Sequence, residues 1–467
     1  MPRFALLWTD ALIWLLVLIS LLFAWQALRH EHLRAPWRRV AHSRTALGAL
    51  VVLGAYVLVG LADSVHFHPR LENATGAQVY SSRIVSLLDL IAGPLHERHE
   101  TTYSAPLATH AYVKETIDLP DGRSVRDYPR LVYGGAHLVD PEHDWLGDVL
   151  RTSLTGAASG AAAWLAAVAG LAFVGGGRHR SWTARVAALL GGRARLPWYS
   201  ALWTLLVLAM AIGAALALSG KYHLLGTDKV GQDVFYQAVK SIRTGLVIGT
   251  LTTLVMLPAA ILLGIMAGYF KGWVDDLIQY VYTTLNSIPS VLLIAAAVLM
   301  MQVYIGNNES QFNSVTERAD LRLLFLCIIL GVTSWTSLCR LLRGETFKLR
   351  ELEYVQAAHA LGVRHFTVLY RHVLPNVLHI VLITVVLDFS GLVLAEAVLS
   401  YINIGVDPST DSWGNMINGA RLELAREPVV WWSLAAAFFF MFTLVLAANL
   451  FADAVRDAFD PRLRSGR

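Results

Sequence analysis

Charge is scarce in this sequence. Only 15% of its 467 residues are Asp, Glu, Lys or Arg, against 55% hydrophobic residues and a mean hydropathy of +0.51. That balance is too apolar for one soluble domain. Cysteine is scarcer still: Cys327 and Cys339 lie in or beside one apolar run, which gives no disulfide framework. A nucleotide-binding loop of the Walker type is missing. Gly220-Lys221 is followed by Tyr222 and has no glycine at the required distance before it, so the chain does not cradle a nucleotide by that device. No Ser-His-Asp or Cys-His arrangement stands out either. His96-Glu97-Arg98-His99 sets its histidines three apart where zinc-protease chemistry needs four. With His66, His68 and Glu100 it reads as solvated histidines, and no metal site is assigned. The net charge of +4 rests on arginines gathered in particular loops, a pattern of membrane topology and not of nucleic-acid binding.

What the chain has in abundance is apolar runs near the length that crosses a bilayer. Nine spans are predicted, at 6–27, 46–63, 153–175, 198–219, 244–269, 277–303, 322–342, 375–399 and 430–452. Residues 28–45 carry Arg29, Arg34, Arg38, Arg39 and Arg44 against one acid, Glu31. Residues 176–197 carry Arg178, Arg180, Arg185, Arg193 and Arg195 against none. Both loops should be cytoplasmic, and Arg343, Lys348, Arg350, Arg364 and Arg371 place a third there, which gives a periplasmic N-terminus and a cytoplasmic C-terminus. The first run reads as a span and not a cleaved signal, because Ala24-Trp25-Gln26-Ala27 offers no small-x-small site. Asp10 is then expected near the outer interface, where a carboxylate costs less than at the centre.

Residues 64–152 are the one long polar stretch, predicted periplasmic and ordered, with a strand-like piece from Tyr112 to Leu119. Ile84, Leu87, Leu88 and Ile91 suggest a helix within 80–92 that lies on the membrane or packs in this domain. The Asn73-Ala74-Thr75 sequon is common by chance and implies little. The division expected is 1–63 with two spans, 64–152 outside, 153–197 with a third span and a basic loop, and 198–467 with six spans.

The stretch from Glu353 through Gln356-Ala357-Ala358 to Gly362, continuing past Arg364 to Leu374-Pro375, predicts a short exposed helix between two spans. Ala357 and Ala358 would let another protein approach the backbone, Gly362 would end the helix, and Pro375 would open the next span. An ordinary connector is the competing reading. This spacing resembles the EAA loop of ABC-importer permeases, where a coupling helix sits in a groove of a separate ATPase. Gln356 stands where that motif has Glu, so an ion pair to the ATPase would have to come from Glu353, Glu351 or Arg364.

Residues 220–465 resemble the dipeptide/oligopeptide permease family more widely. Gly226-Thr227-Asp228, Gly231, Asp233-Val234 and Arg243 match its segment before the second core span, with Gln232 in place of a usual arginine. Ala267-Gly268-Tyr269-Phe270, Gly272-Trp273-Val274-Asp275 and Ile288-Pro289-Ser290 match the next segment, and Trp335, Arg340, Arg343-Gly344 and Arg350 lead into the loop. Ala395-Glu396-Ala397, Gly405, Pro408 and Trp413-Gly414 resemble its periplasmic turn, and Asp460-Pro461-Arg462-Leu463-Arg464 its ending. Residues 1–197 have no counterpart in that plan. The resemblance implies an all-α polytopic membrane protein, a six-helix permease core with three added spans. Its partners would be a second permease, two ABC ATPase subunits holding ATP and Mg2+, a periplasmic solute-binding protein and membrane lipid. This chain itself would bind no cofactor and catalyse no reaction.

Glu396, at the end of an apolar run, reads either as part of the translocation path or partner contact, or as a carboxylate satisfied by nearby hydroxyls. For Asp388 the second reading is favoured. Gly264 and Gly268, four apart, predict close helix packing. Peptide is the cargo implied by the resemblance, with nickel chelates or glycosides as alternatives. A transporter or channel working without ATP, or a scaffold built on residues 1–197, are the competing functions.

Overall fold

The computed structural model describes residues 3–29, 31–72, 78–81, 84–118, 124–174, 186, 197–308 and 314–459. Among them nine helices are long and apolar enough to cross a membrane, matching the predicted spans in number and order. Several run past the predicted ends. Val234–Phe270 has 37 residues and starts ten positions before 244, because Asp233 caps it by accepting the Tyr236 N–H. Its length of about 55 Å exceeds the hydrocarbon thickness of about 30 Å, so both ends stand in the polar layers.

The predicted span 277–303 is broken in two. Trp273–Ser287 and Ser290–Asn307 are separate helices, with Ile288 extended at φ −90° and ψ 128°. Pro289 is the cause, since its ring excludes the helical conformation from the residue before it. Pro375 falls in the first turn of Leu374–Tyr401, the opening position expected of it, although the helical path begins earlier. Helix runs on from His365 to Tyr401, and a wider π turn at Leu369–Val373 lies directly before Pro375. That turn absorbs the proline's missing donor and ring without a break.

Val234–Phe270 and Val315–Arg350 pack side by side as the spine of the core. A Cβ on Gly264 would lie 2.8 Å from the Cys339 carbonyl oxygen, and one on Gly268 2.6 Å from that of Arg343, so the predicted close approach is real. Around this spine Arg44–Asp63 of the N-terminal region wedges against Val234–Phe270, Trp198–Ser219 and Trp432–Phe459. The amphipathic helix Glu31–Val40 lays Trp37 and Val40 on Ala454, Val455, Ala458 and Phe459 at the end of the last span. Residues 460–464 and the arginines at 178, 180, 185, 193 and 195 lie outside the described residues.

The insert at 64–152 carries three small antiparallel sheets. Arg3–Ala5 pairs with His66–His68, which pairs in turn with Val85–Ser86. Arg70–Glu72 pairs with Gln78–Tyr80, and Glu115–Asp118 with Ser124–Asp127. The strand expected from Tyr112 starts three residues later, and its predicted end, Leu119, and the sequon at 73–75 lie outside the described residues. The helix expected within 80–92 is only Leu87–Ile91, behind a strand. Ser86 and Asp89 form a capping box that fixes its start, and Ile84 and Leu88 are buried while Ile91 is exposed.

Candidate functional site

At one end of the bundle the quoted motif residues converge beneath a short helix, Glu353–Ala360. Arg343 grips Asp275 with two nitrogens, Nε to Oδ1 at 2.5 Å and Nη2 to Oδ2 at 2.7 Å. Arg350 donates to the Tyr269 carbonyl at 2.8 Å. The Tyr269 hydroxyl sits between His359 Nε2 at 2.8 Å and His365 Nδ1 at 2.9 Å, and its ring stacks on His359. A phenol has one proton to give, so it donates to one imidazole and accepts from the other. These bonds tie the short helix to the ends of both spine helices.

Val355 and Ala358 turn inward and join a core containing Tyr269, Leu338 and Val373. Ala358 therefore packs on its own chain, and of the alanine pair only Ala357 faces outward. Glu353, Gln356 and Arg364 are exposed, and Gln356 Nε2 reaches the Glu351 carbonyl at 3.2 Å. Gly362 ends the helix at φ +73°, a conformation that costs an L side chain about 1–2 kcal/mol, with open space where a Cβ would go. Leu374 is half-buried and Pro375 exposed. Leu361 at 83%, Phe366 at 78% and Tyr370 at 67% exposure leave three large apolar side chains uncovered in the segment that follows the helix.

The opposite end holds the Gly226–Asp233 turn. Gly226 and Gly231 have φ of +72° and +75°, and a side chain on either would strike the backbone of the insert, at Ser104 and Glu100 respectively. The Ser104 N–H donates to the Thr227 hydroxyl at 2.7 Å, and Trp432 Nε1 donates to the Thr227 carbonyl at 2.9 Å. Asp228 Oδ1 accepts the Val230 and Gln232 N–H groups. His223 is clamped between Asp233 at 2.8 Å and Glu100 at 3.3 Å, and Glu100 also accepts the Val132, Tyr133 and Gly134 N–H groups. The family's turn is thus the seat on which the insert is fastened.

This clamp has a pH window. Burial lowers the His223 value, but Asp233 and Glu100 outweigh it and push it up to about 9, from 6.5. Burial raises Glu100, and hydrogen bonds from His223 and from the Tyr133 and Val132 N–H groups hold it below its usual range. A raised histidine value means the support is complete below 6.5 and is lost as pH rises through about 9. Protease cleavage of the insert should therefore accelerate several-fold at pH 10 relative to pH 7.5, after correction with an unstructured peptide. A His223→Gln variant should show no such step; an identical step in that variant would assign it elsewhere.

Trp413 donates to the Ala238 carbonyl at 3.0 Å and lays its ring against Gly245. Gly414 presses on Glu396, whose Oε1 accepts the Ser400 hydroxyl at 2.7 Å. Glu396 is 2% exposed and buried within its own chain. Asp388 is half-buried. Asp10 lies in the first turn of Trp8–Arg29, where it is buried, its carboxylate bound by Arg243 Nη2 at 2.6 Å and His66 Nδ1 at 2.7 Å. Arg243 also donates to Thr9 at 2.8 Å and lies 3.6 Å from Asp320, which accepts the Thr9 N–H. Of the insert's other histidines, His68 meets the Ser81 carbonyl and His96 lies against the Tyr236 ring.

The profile of the family described as "Binding-protein-dependent transport system inner membrane component" matches residues 260–465. The glutathione transport system permease protein GsiD of Pectobacterium atrosepticum is 31% identical over 245 residues, 52% of this chain and 74% of that protein. The oligopeptide transport system permease protein OppC of Mycobacterium tuberculosis is 32% identical over 256 residues, 54% of this chain and 81% of that protein. The dipeptide transport system permease protein DppC of Bacillus subtilis is 26% identical over 242 residues, 52% and 69% respectively. These matches account for the core and leave the N-terminal region without a relative among them. The chain is a multi-pass inner-membrane protein that belongs to the peptide ABC transporter permease family, the binding-protein-dependent transport components, and is the permease subunit of an ATP-driven importer.

Proposed function

We propose that this permease carries di- or oligopeptides, forms half of the translocation path, and takes its drive through Glu353–Ala360 from a separate ATPase. The observation that carries the coupling role is the division of the short helix. Val355 and Ala358 anchor it to the spine helices, while Ala357 lies outward and Leu361, Phe366 and Tyr370 stand exposed in the segment that follows. A small outward residue admits a close-packed partner, and the Tyr269 and Arg350 bonds pass its displacement to both spine helices. The relatives named for oligopeptide, dipeptide and glutathione transport support peptide as the cargo.

In this reading a second permease completes the path, two ATPase subunits hold ATP and Mg2+, and a periplasmic solute-binding protein delivers the cargo. This chain holds no cofactor of its own. The arginine-rich loops support a periplasmic N-terminus, a cytoplasmic C-terminus and the insert on the periplasmic side. The test is reconstitution in liposomes with the cognate ATPases and binding protein. Vanadate-sensitive hydrolysis should rise several-fold when binding protein and a dipeptide are added together. Stimulation by a nickel chelate or a glycoside but by no peptide would refute the cargo, and uptake without any nucleotide would refute the coupling.

A further inference from the structure

The turn between the first two spans gathers exposed basic side chains around an open hollow. Arg34, Arg38, Arg39, His42 and Arg44 are all exposed there, and Glu31 is the one acid in the segment. Among the described residues Arg34, Arg38 and Arg39 make no ion pair, although the C-terminal helix beside them carries Asp453 and Asp457. Arg38, Arg39, His42, Ser43 and Ala35 line an open hollow of about 580 Å3. A second feature points the same way. Ser43 caps Arg44–Asp63, a helix whose first turn holds no acidic residue, so its N-terminal partial positive charge opens beside the same hollow.

The position decides the occupant. The hollow lies where Trp8–Gln26 ends and Arg44–Asp63 begins, at the depth where a bilayer presents its headgroups. Arg29 stacks over Trp25 with 3.6 Å to the ring centroid, and Trp37 meets Phe459 edge-on, an aromatic belt at the same level. We propose that this pocket binds the phosphate of an anionic phospholipid, with the Arg38 and Arg39 guanidinium groups and His42 on its oxygens. Guanidinium matches two phosphate oxygens at once, and the lipid's chains follow the apolar faces of the two spans. The inference concerns this turn alone and stands independently of the cargo and the coupling helix.

The test uses the full chain, delipidated in an uncharged detergent and offered phosphatidylglycerol or phosphatidylcholine in mixed micelles, with retained lipid counted by native mass spectrometry. Phosphatidylglycerol should be retained at least tenfold better, and Arg38→Gln with Arg39→Gln should erase the preference while Arg126→Gln, in the insert hairpin, keeps it. Should the double variant fail to fold, hydrogen exchange of the wild type decides: phosphatidylglycerol should slow amides 38–46, and phosphatidylcholine should not. Equal retention of the two lipids, or unchanged exchange with both, overturns the proposal. Displacement of the lipid by millimolar inorganic phosphate would assign the pocket to a free anion and overturn it too.

Discussion

An Ala357→Glu permease should fold and insert normally yet lose at least tenfold of its transport-coupled ATP hydrolysis. Ala357 contributes nothing to its own chain's core, so the substitution leaves the stability of the bundle near that of the wild type. On the outward face of the helix, however, a carboxylate without a partner must be desolvated when another protein docks, and tenfold corresponds to only about 1.4 kcal/mol. Ala358→Glu should behave differently. Its carboxylate would enter the core beside Val355, Tyr269 and Val373, at a cost on the order of several kcal/mol, and the whole end should loosen. Thermal unfolding together with ATPase retention separates the two. If both variants keep full stability and coupled hydrolysis, the outward helix face is not the docking surface.

The largest loss of stability should come from Arg243→Gln. This side chain joins the first helix, through Thr9 and Asp10, to the spine helix that carries Asp320. A glutamine leaves two buried carboxylates without their cation, and breaking a buried pair from one side costs about 3–5 kcal/mol. Adding Asp10→Asn and Asp320→Asn to the same chain removes the stranded charges and should recover much of the loss. Tm in detergent and resistance of residues 1–63 to protease report both effects. A triple variant no more stable than Arg243→Gln would mean that packing, and not charge, carries the contact.

How far the sequence revealed the fold depended on the range of the interaction. The spans were legible because their signal is composition over about 20 residues, and the Gly264–Gly268 pair was legible because helical spacing is local. The ends were not. Asp233 lengthens one helix by capping it, and the π turn before Pro375 keeps another continuous, and both depend on a few hydrogen bonds that hydropathy does not register. The periodicity of 84–91 misled because Ile84 and Leu88 are buried against structure distant in sequence, while a capping box sets the helix start.

The candidate site divides in the same way. The run from Gln356 to Pro375 stood out by its residue types, yet nothing local distinguishes Ala357 from Ala358; only the core beneath decides which of two adjacent alanines is free. Asp233 and Glu396 stand out as motif members, but the motif does not show that His223 and Ser400 are their partners, or that Glu100 of the insert holds the other side of His223. The partner of Asp10, Arg243, lies 233 positions away, and nothing around either residue announces the pair.

By itself the sequence determined that the chain is an α-helical membrane protein and which short helix stands between spans, because apolar length and residue type act through the local cost of leaving water. Tertiary structure alone decided that the N-terminal region is bolted to the core. Its fasteners, Arg243 with Asp10 and Glu100 with His223, are charges too expensive to bury singly and stable only as pairs. A pair has no signature in either partner's own neighbourhood, so it becomes visible only when the fold brings both sides together.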